Sequence, residues 1–253
     1  GYQADLVVLD DLEDFNVTEV YHKGTKIIRD EKKEIRACDP KLKNTVHISN
    51  FSEKQLELPW KEGKAHILRM LEGQIVTEDI LEEPSYTEKD GQKFFVSDDR
   101  FQKIAVIERH KGTGKNSVGI VSGFGLRGGA IASSVSHDSH NIIVIGDNDH
   151  DMYLAVQELI RTQGGYTLVK NGQVFDTLPL SIMGLMSDLG YEKVNEILGR
   201  MIPEAHRMGI PDGFDPCITL SWMALPVIPE IRVTPRGIYL VKEDRLLRNP
   251  YEK

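Results

Sequence analysis

Short runs of apolar, mostly β-branched residues recur along the chain and predict a protein rich in strands. The first begins almost at the N-terminus, and the run around Val20 turns at Lys23–Thr25 as a hairpin would. A polar segment at residues 81–92 interrupts the pattern and predicts a loop. The runs of this kind are residues 4–10, 18–28, 65–80, 94–110, 117–124 and 141–146.

Helical spacing is clear in only two places. Residues 151–165 carry apolar side chains at helical intervals, follow Asp and Asn residues and end at two glycines, which predicts a helix. Residues 187–209 predict a second helical region, interrupted or kinked at Pro203, with Asp188 as its cap. Between the two, the Asn171–Gly172 pair predicts a hairpin turn.

Taken together, the elements predict an α+β fold of mixed β-sheets with a few helices and a small β piece at the N-terminus. The charged segment at residues 30–40 is interpreted as the exit from that small β unit. A linking segment near residues 42–62 divides the chain into a first part, residues 1–50, and a second part, residues 51–253.

Composition excludes several classes of function. The formal net charge is −8 and no strong basic cluster occurs, which argues against a nucleic-acid partner. Lys61–Lys64 and Glu108–Lys115 are locally basic and are interpreted as solvated loops. No apolar run is long enough for a membrane span, so no membrane partner is expected. The only cysteines, Cys38 and Cys217, exclude a disulfide framework and favour the cytoplasm.

A glycine pattern offers one alternative function. GFGLRG, at Gly123–Gly128, fits the dinucleotide fingerprint, and Asp147 follows at the expected distance. Such a site requires a helix over residues 126–138 to hold the pyrophosphate. Residues 130–141 include four serines with β-branched neighbours, which are poor helix formers, so this reading is the weaker one.

The most polar stretch between two apolar runs is SSVSHDSHN, residues 133–141. His137 and His140 would share a face only on a helix, and no helix is expected here. The stretch is either a hydrogen-bonded structural loop or a site loop, since functional groups gather on loops held by rigid elements. Its side chains could read the edge of a heterocycle or move protons near neutral pH.

The remaining histidines are isolated and have no metal-ligand spacing, so each is interpreted as a surface or packing residue. They are His22, His47, His66, His110, His150 and His206. No metal ligands are therefore assigned within this chain.

Several long motifs resemble a known family. Residues 1–24 resemble the segment that follows the barrel in amidohydrolase-superfamily enzymes and re-enters their small β-sandwich. Residues 123–152, 178–188 and 220–237 resemble, in that order, the C-terminal domain of bacterial adenine deaminases. The resemblance covers essentially the whole chain and identifies it as a C-terminal fragment that lacks the catalytic barrel.

The resemblance implies hydrolysis of adenine to hypoxanthine and ammonia by a hydroxide on a binuclear Mn or Fe centre. That centre would be held by the missing N-terminal barrel, so no metal is expected on this fragment, which alone would be inactive. It further implies that the SHDSHN loop helps to close the adenine site. His137, Asp138 and His140 are the catalytic candidates, and Ser139 and Asn141 would contact the substrate and orient them.

Two further roles remain open. The loop could only brace the interface with the barrel, which would make the chain a non-catalytic docking or dimerisation module. The other two motifs, residues 178–188 and 220–237, are mainly apolar and are expected to pack the core or a subunit interface. A homo-oligomer is therefore expected, together with the barrel portion and adenine as partners.

Overall fold

The computed structural model describes residues 1–28 and 38–252 of the chain. Contacts divide the protein into two compact units, Gly1–Ala37 and Cys38–Lys253. Most of the charged segment predicted as the exit from the first unit lies outside the described residues. The division predicted at residues 50 and 51 stays a prediction.

The first unit is a three-stranded antiparallel sheet in the order β1-β2-β3. Lys23 and Gly24 both have positive φ, at 52° and 76°, as a tight hairpin turn between β2 and β3 requires, which confirms the predicted hairpin. Leu6 and Val7 point to opposite faces, yet are 56% and 59% exposed, so residues 1–28 leave both faces of this sheet largely uncovered. The strands are β1 (Leu6–Leu9), β2 (Val17–His22) and β3 (Thr25–Lys26).

The second unit is built on an eight-stranded sheet in the order β13-β12-β10-β11-β8-β9-β4-β5. Neighbouring strands are antiparallel except β4 and β9. The strands of the unit are β4 (Ala65–Met70), β5 (Thr77–Glu82), β6 (Tyr86–Lys89), β7 (Gln92–Phe95), β8 (Phe101–Ile107), β9 (Asn116–Ser122), β10 (Gly129–Ser133), β11 (Ile142–Gly146), β12 (Gly165–Lys170), β13 (Gln173–Pro179), β14 (Ile231–Thr234), β15 (Gly237–Leu240) and β16 (Arg245–Leu247).

Both faces of the eight-stranded sheet are covered, so the central strands β8, β10 and β11 are buried at every position. Helix α1 (Asp149–Thr162) covers one face, where it meets Ile142 and Val144 of β11. The other face carries α2 (Tyr191–Arg207), α3 (Pro216–Trp222) and the small sheet β14-β15-β16. Ile143 and Ile145, the alternate residues of β11, lie in that second core.

Three local predictions need correction. The polar segment at residues 81–92 contains the end of β5 and most of the β6–β7 hairpin, because exposed hairpin strands carry polar side chains on both faces. Helix α2 runs through Pro203 without interruption, which corrects the predicted break, while the alternative of a kink at Pro203 stays a prediction. Asp188 does not cap α2, whose N-cap is Gly190; the carboxylate of Asp188 instead accepts a hydrogen bond from Lys43 Nζ at 2.6 Å.

Several other local predictions hold. The helix predicted at residues 151–165 is α1, and the side chain of Asn148 caps it by accepting from the backbone N–H of Asp151 at 2.8 Å. Asn171 and Gly172 form the turn between β12 and β13. The fold is α+β, as predicted. Within residues 1–28 and 38–252, no helix has both the length and the apolar character to cross a bilayer.

Candidate functional site

The polar stretch at residues 133–141 forms the end of β10 and the loop that joins it to β11. These two strands are antiparallel neighbours near the middle of the sheet, with Ser133 paired to Ile143. The loop therefore connects two fully buried strands, which fix the positions of both of its ends.

Hydrogen bonds inside the loop fix the orientation of His140. Its backbone N–H donates to Ser136 O at 2.6 Å, and its φ of 51° lies in the left-handed region. The ring Nδ1 lies 2.9 Å from Val135 O. A carbonyl oxygen can only accept, so Nδ1 carries a proton, and in the neutral imidazole Nε2 then presents a lone pair. The loop is a turn and not a helix, as the sequence indicated.

His137 is held by the end of helix α3. Its ring stacks on that of Trp222, with centroids 4.5 Å apart and planes 26° from parallel. Its backbone N–H donates to Ser221 O at 2.9 Å. Trp222 was not singled out by the sequence, because it stands in an apolar run that predicts only packing.

The structure brings the two histidine rings within 6.0 Å of each other, centroid to centroid. Asp138 lies beside them, with its carboxylate 4.0 Å from His137 Nδ1 and its side chain 84% exposed. Ser139 is also exposed, and its backbone carbonyl accepts from His110 Nε2 at 2.8 Å. Asn141 points the other way: it is 6% exposed and its Oδ1 accepts from the backbone N–H of Arg109.

Arg109 lies directly beneath this loop. The prediction that residues 108–115 form a solvated loop is wrong for this residue, which is 1% exposed. Its guanidinium donates to oxygens of three separate loops: His140 O, Thr45 O and Oγ1, and Met183 O. Burial lowers its pKa to about 10, so it remains a cation at neutral pH.

Glu108, the residue before Arg109, organises the segment that follows. Burial opposes its ionisation, but the backbone N–H groups of Thr113, Lys111 and His110, together with the Thr113 hydroxyl, donate to its carboxylate. The result is a pKa lowered to about 2. Through His110, this segment also supports Ser139.

The glycine pattern at residues 123–128 does not form a dinucleotide site. Strand β10 begins at Gly129, where that reading requires a helix over residues 126–138. Asp147, the candidate ribose ligand, instead accepts from the backbone N–H groups of Gly128 and Gly129 at 2.6 and 3.1 Å. The alternative function based on this motif is therefore excluded.

A cavity of about 260 Å³ lies beside the start of helix α1, and none of its lining residues belongs to the 134–141 loop. Lys103 and Asp149 form an ion pair at its wall, and the Lys103 side chain is only 5% exposed. Burial lowers the pKa of Lys103 and raises the pKa of Asp149, so the loss of water outweighs their attraction.

The described residues do not fit a metal centre. Residues 1–28 and 38–252 contain no group of three His, Cys, Asp or Glu side chains that converge as metal ligands would. Cys38 and Cys217 are both free thiols. The ligands of a binuclear centre would therefore have to come from elsewhere.

Comparison with known proteins gives consistent matches. The profile of the adenine deaminase C-terminal domain matches residues 74–245. An adenine deaminase of Desulfitobacterium hafniense is 48% identical over 248 residues, which are 98% of this chain and 43% of that protein. The adenine deaminase of Clostridium acetobutylicum is 41% identical over 98% of this chain and 44% of its own length. That of Petrotoga mobilis is 37% identical over 96% of this chain and 43% of its own length.

The chain thus spans less than half the length of the relatives it matches. The profile covers both the strands that carry the 134–141 loop and the helix that carries Trp222. This chain belongs to the adenine deaminase C-terminal domain family.

Proposed function

We propose that this chain is the C-terminal part of an adenine deaminase, an enzyme that hydrolyses adenine to hypoxanthine and ammonia. Support comes from relatives named adenine deaminase, which match nearly the whole chain at up to 48% identity. The N-terminal barrel portion of the enzyme would be its partner, and the metal centre would belong to that portion. A homo-oligomer and a cytoplasmic location belong to the same proposal.

Within this enzyme, the loop formed by residues 134–141 closes the adenine site. The observation that carries this role is the fixed state of His140, whose Nδ1–H is bound to Val135 O. Its Nε2 has no hydrogen-bond partner among the described residues and can accept a proton or an N–H group from a purine.

His137 and Asp138 supply the other polar groups. The side chain of His137, stacked on Trp222, is still 32% exposed, and the carboxylate of Asp138 is open to solvent. A carboxylate accepts N–H groups, and an imidazole can donate or accept, so the pair suits the edge of an aminopurine. Ser139 and Asn141 are proposed to orient these groups.

The decisive experiment is a chimaera. Residues 1–253 replace the equivalent C-terminal 43% of the Desulfitobacterium hafniense relative. With Mn²⁺ or Fe²⁺ supplied, ammonia release from adenine is measured. Turnover comparable to that relative supports the proposal, and a folded, metal-loaded chimaera without turnover contradicts it.

Variants of the chimaera then test the loop. His137→Ala, Asp138→Ala and His140→Ala should lower adenine turnover, on the order of a hundredfold for a residue that transfers protons. Glu83→Gln is the control, because Glu83 is exposed and makes no hydrogen bond or ion pair among the described residues. Normal turnover in all three loop variants would remove the catalytic role.

A docking role is the second candidate, and exposed apolar side chains favour it. Met183 and Met186 are 42% and 54% exposed in a segment bound to Arg109, and Ile218 is 52% exposed on the helix that carries Trp222. Apolar side chains left exposed around one loop are typical of a surface that a partner covers. Met186→Ser and Ile218→Ser should weaken association with the separately produced barrel portion, measured by titration calorimetry, even if the loop variants keep full turnover.

A further inference from the structure

Arg109 is a buried cation that lacks a counter-ion within the part of the chain that the structure describes. Among residues 1–28 and 38–252, no carboxylate forms an ion pair with it. Removing a guanidinium from water is costly unless its donors are used, and an apolar side chain of similar size would avoid that cost. The arrangement therefore needs a reason beyond filling space.

The donors of Arg109 join three separate segments. Nε donates to His140 O, one terminal nitrogen donates to Thr45 O and Thr45 Oγ1 at 3.1 and 3.2 Å, and the other donates to Met183 O at 2.9 Å. Its own backbone N–H donates to Asn141 Oδ1 at 3.3 Å. Only a planar fork with several donors can reach oxygens in these different directions.

The contact with His140 O bears directly on the imidazole. His140 adopts the left-handed conformation, which a residue with a side chain enters only when its surroundings hold it there. Its carbonyl is held by Arg109 and its N–H by Ser136 O, so the backbone on both sides of Cα is fixed. That fixed backbone aims Nδ1 at Val135 O, and Nε2 has no hydrogen-bond partner among the described residues.

We propose that Arg109 is a positioning residue that sets the orientation and tautomer of His140. The catalytic consequence of this inference rests on the proposed function, but the orientation and tautomer of His140 can be measured without turnover.

Gly184 lies against the guanidinium of Arg109. Gly184 O accepts from Ser134 Oγ at 2.6 Å, and a Cβ on Gly184 would lie 2.9 Å from the guanidinium.

The chain contains a matched control for Arg109. Arg232 is also fully buried, its pKa is likewise lowered to about 10 by burial, and it donates to the carbonyls of Ile231, Ile75 and Pro229. Among residues 1–28 and 38–252, none of its hydrogen-bond partners lies in the 134–141 loop. Arg109→Lys and Arg232→Lys both keep the positive charge but lose the planar guanidinium with its several donors. The two variants should therefore lose similar amounts of stability.

The test is long-range ¹H–¹⁵N spectroscopy of the histidine rings in the 253-residue chain, which distinguishes the two neutral tautomers. The signal of His140, assigned with His140→Gln, should show a protonated Nδ1 in the wild type and in Arg232→Lys. In Arg109→Lys it should shift toward an average of both tautomers. An unchanged His140 signal in folded Arg109→Lys, or an equal change in Arg232→Lys, overturns the proposal.

A second pair of variants covers the case in which Arg109→Lys does not fold. Gly184→Ala pushes a methyl group against the guanidinium at a φ of +70°, whereas Gly73→Ala has the same backbone strain, at +69°, and nothing within 4 Å. The His140 signal should change in Gly184→Ala and not in Gly73→Ala. The same response in both variants overturns the proposal.

Turnover separates this inference from the proposed function. In the chimaera, Arg109→Lys should lower kcat on the order of tenfold to a hundredfold with KM little changed, since a misplaced group loses catalysis more than binding. Arg232→Lys should keep kcat. If His140→Ala retains full turnover, the catalytic role of His140 fails, and the spectrum alone still decides whether Arg109 positions it.

Discussion

Glu108 offers a quantitative test of how the support beneath the candidate site is built. Its carboxylate accepts from the backbone N–H groups of His110, Lys111 and Thr113 at 2.6, 2.8 and 3.0 Å, and from the Thr113 hydroxyl at 2.8 Å. We predict that Glu108→Gln destabilises the protein, because an uncharged amide replaces four charge-assisted hydrogen bonds with at most weaker ones.

The magnitude follows from the pKa of Glu108, which falls from its usual 4.5 to about 2 in the folded protein. That difference corresponds to about 3 kcal/mol of stability. The carboxylate is only partly buried, so solvent screening reduces the expected loss to about 1–2 kcal/mol. A carboxylate whose folded pKa is depressed stabilises the protein above its unfolded pKa, and this stabilisation disappears as the pH falls through 4.5 to about 2.

The assay is urea unfolding of the wild type and Glu108→Gln, at pH 7 and at several values down to pH 2. The two curves of unfolding free energy should lie about 1–2 kcal/mol apart at neutral pH and converge near pH 2. Glu83→Gln serves as the control and should follow the wild type throughout. A gap that stays constant with pH would show that the hydrogen bonds to Glu108 do not depend on its charge, and would refute the reasoning.

Three further predictions concern single contacts. Asp149→Asn should lower the free energy of unfolding in urea by about 3 kcal/mol, because it leaves the Lys103 ammonium buried and unpaired. The double variant Lys103→Met with Asp149→Leu removes both charges and should be neutral or stabilising. An equal loss of stability in both would contradict the desolvation argument. Burial raises the pKa of the Cys217 thiol, so under native conditions a thiol reagent should label Cys38 and reach Cys217 only on unfolding. Trp222→Leu removes the stack between the indole and the His137 ring, which contributes about 0.5–1.5 kcal/mol. It should lower kcat of the chimaera roughly two- to tenfold. An unchanged kcat would show that the stack does not position the His137 imidazole.

Much of the fold could be predicted because local signals and tertiary structure agree. The 3.6-residue pattern before Gly164 and the Asn171–Gly172 turn are cases in which one short segment determines its own conformation. Strand β10 was not predicted, because Gly129–Ser133 places a single β-branched residue, Ile131, among Gly, Ala and Ser residues of weak β propensity. The sheet imposes its conformation there through pairing with β11 and β12 on both sides.

The candidate site could be located from the sequence, but Arg109, the buried residue that holds its loop in place, could not. Two histidines and an aspartate between apolar runs are a visible pattern, whereas Arg109 stands in a charged, glycine-containing segment that is typical of solvated loops. Its burial depends on carbonyls at Thr45, His140 and Met183, which are far apart in the chain. No rule of local spacing could have brought them together.

The position of the 134–141 loop within the sheet determines when it would be lost. Strands β13 and β5 form the two edges, and the loop joins the third and fourth of the eight strands. Fraying starts at edges, where backbone groups lack a neighbour on one side. Amide protons of β10 and β11 should therefore exchange with solvent only on global unfolding, and the geometry of the loop should survive partial opening of the sheet.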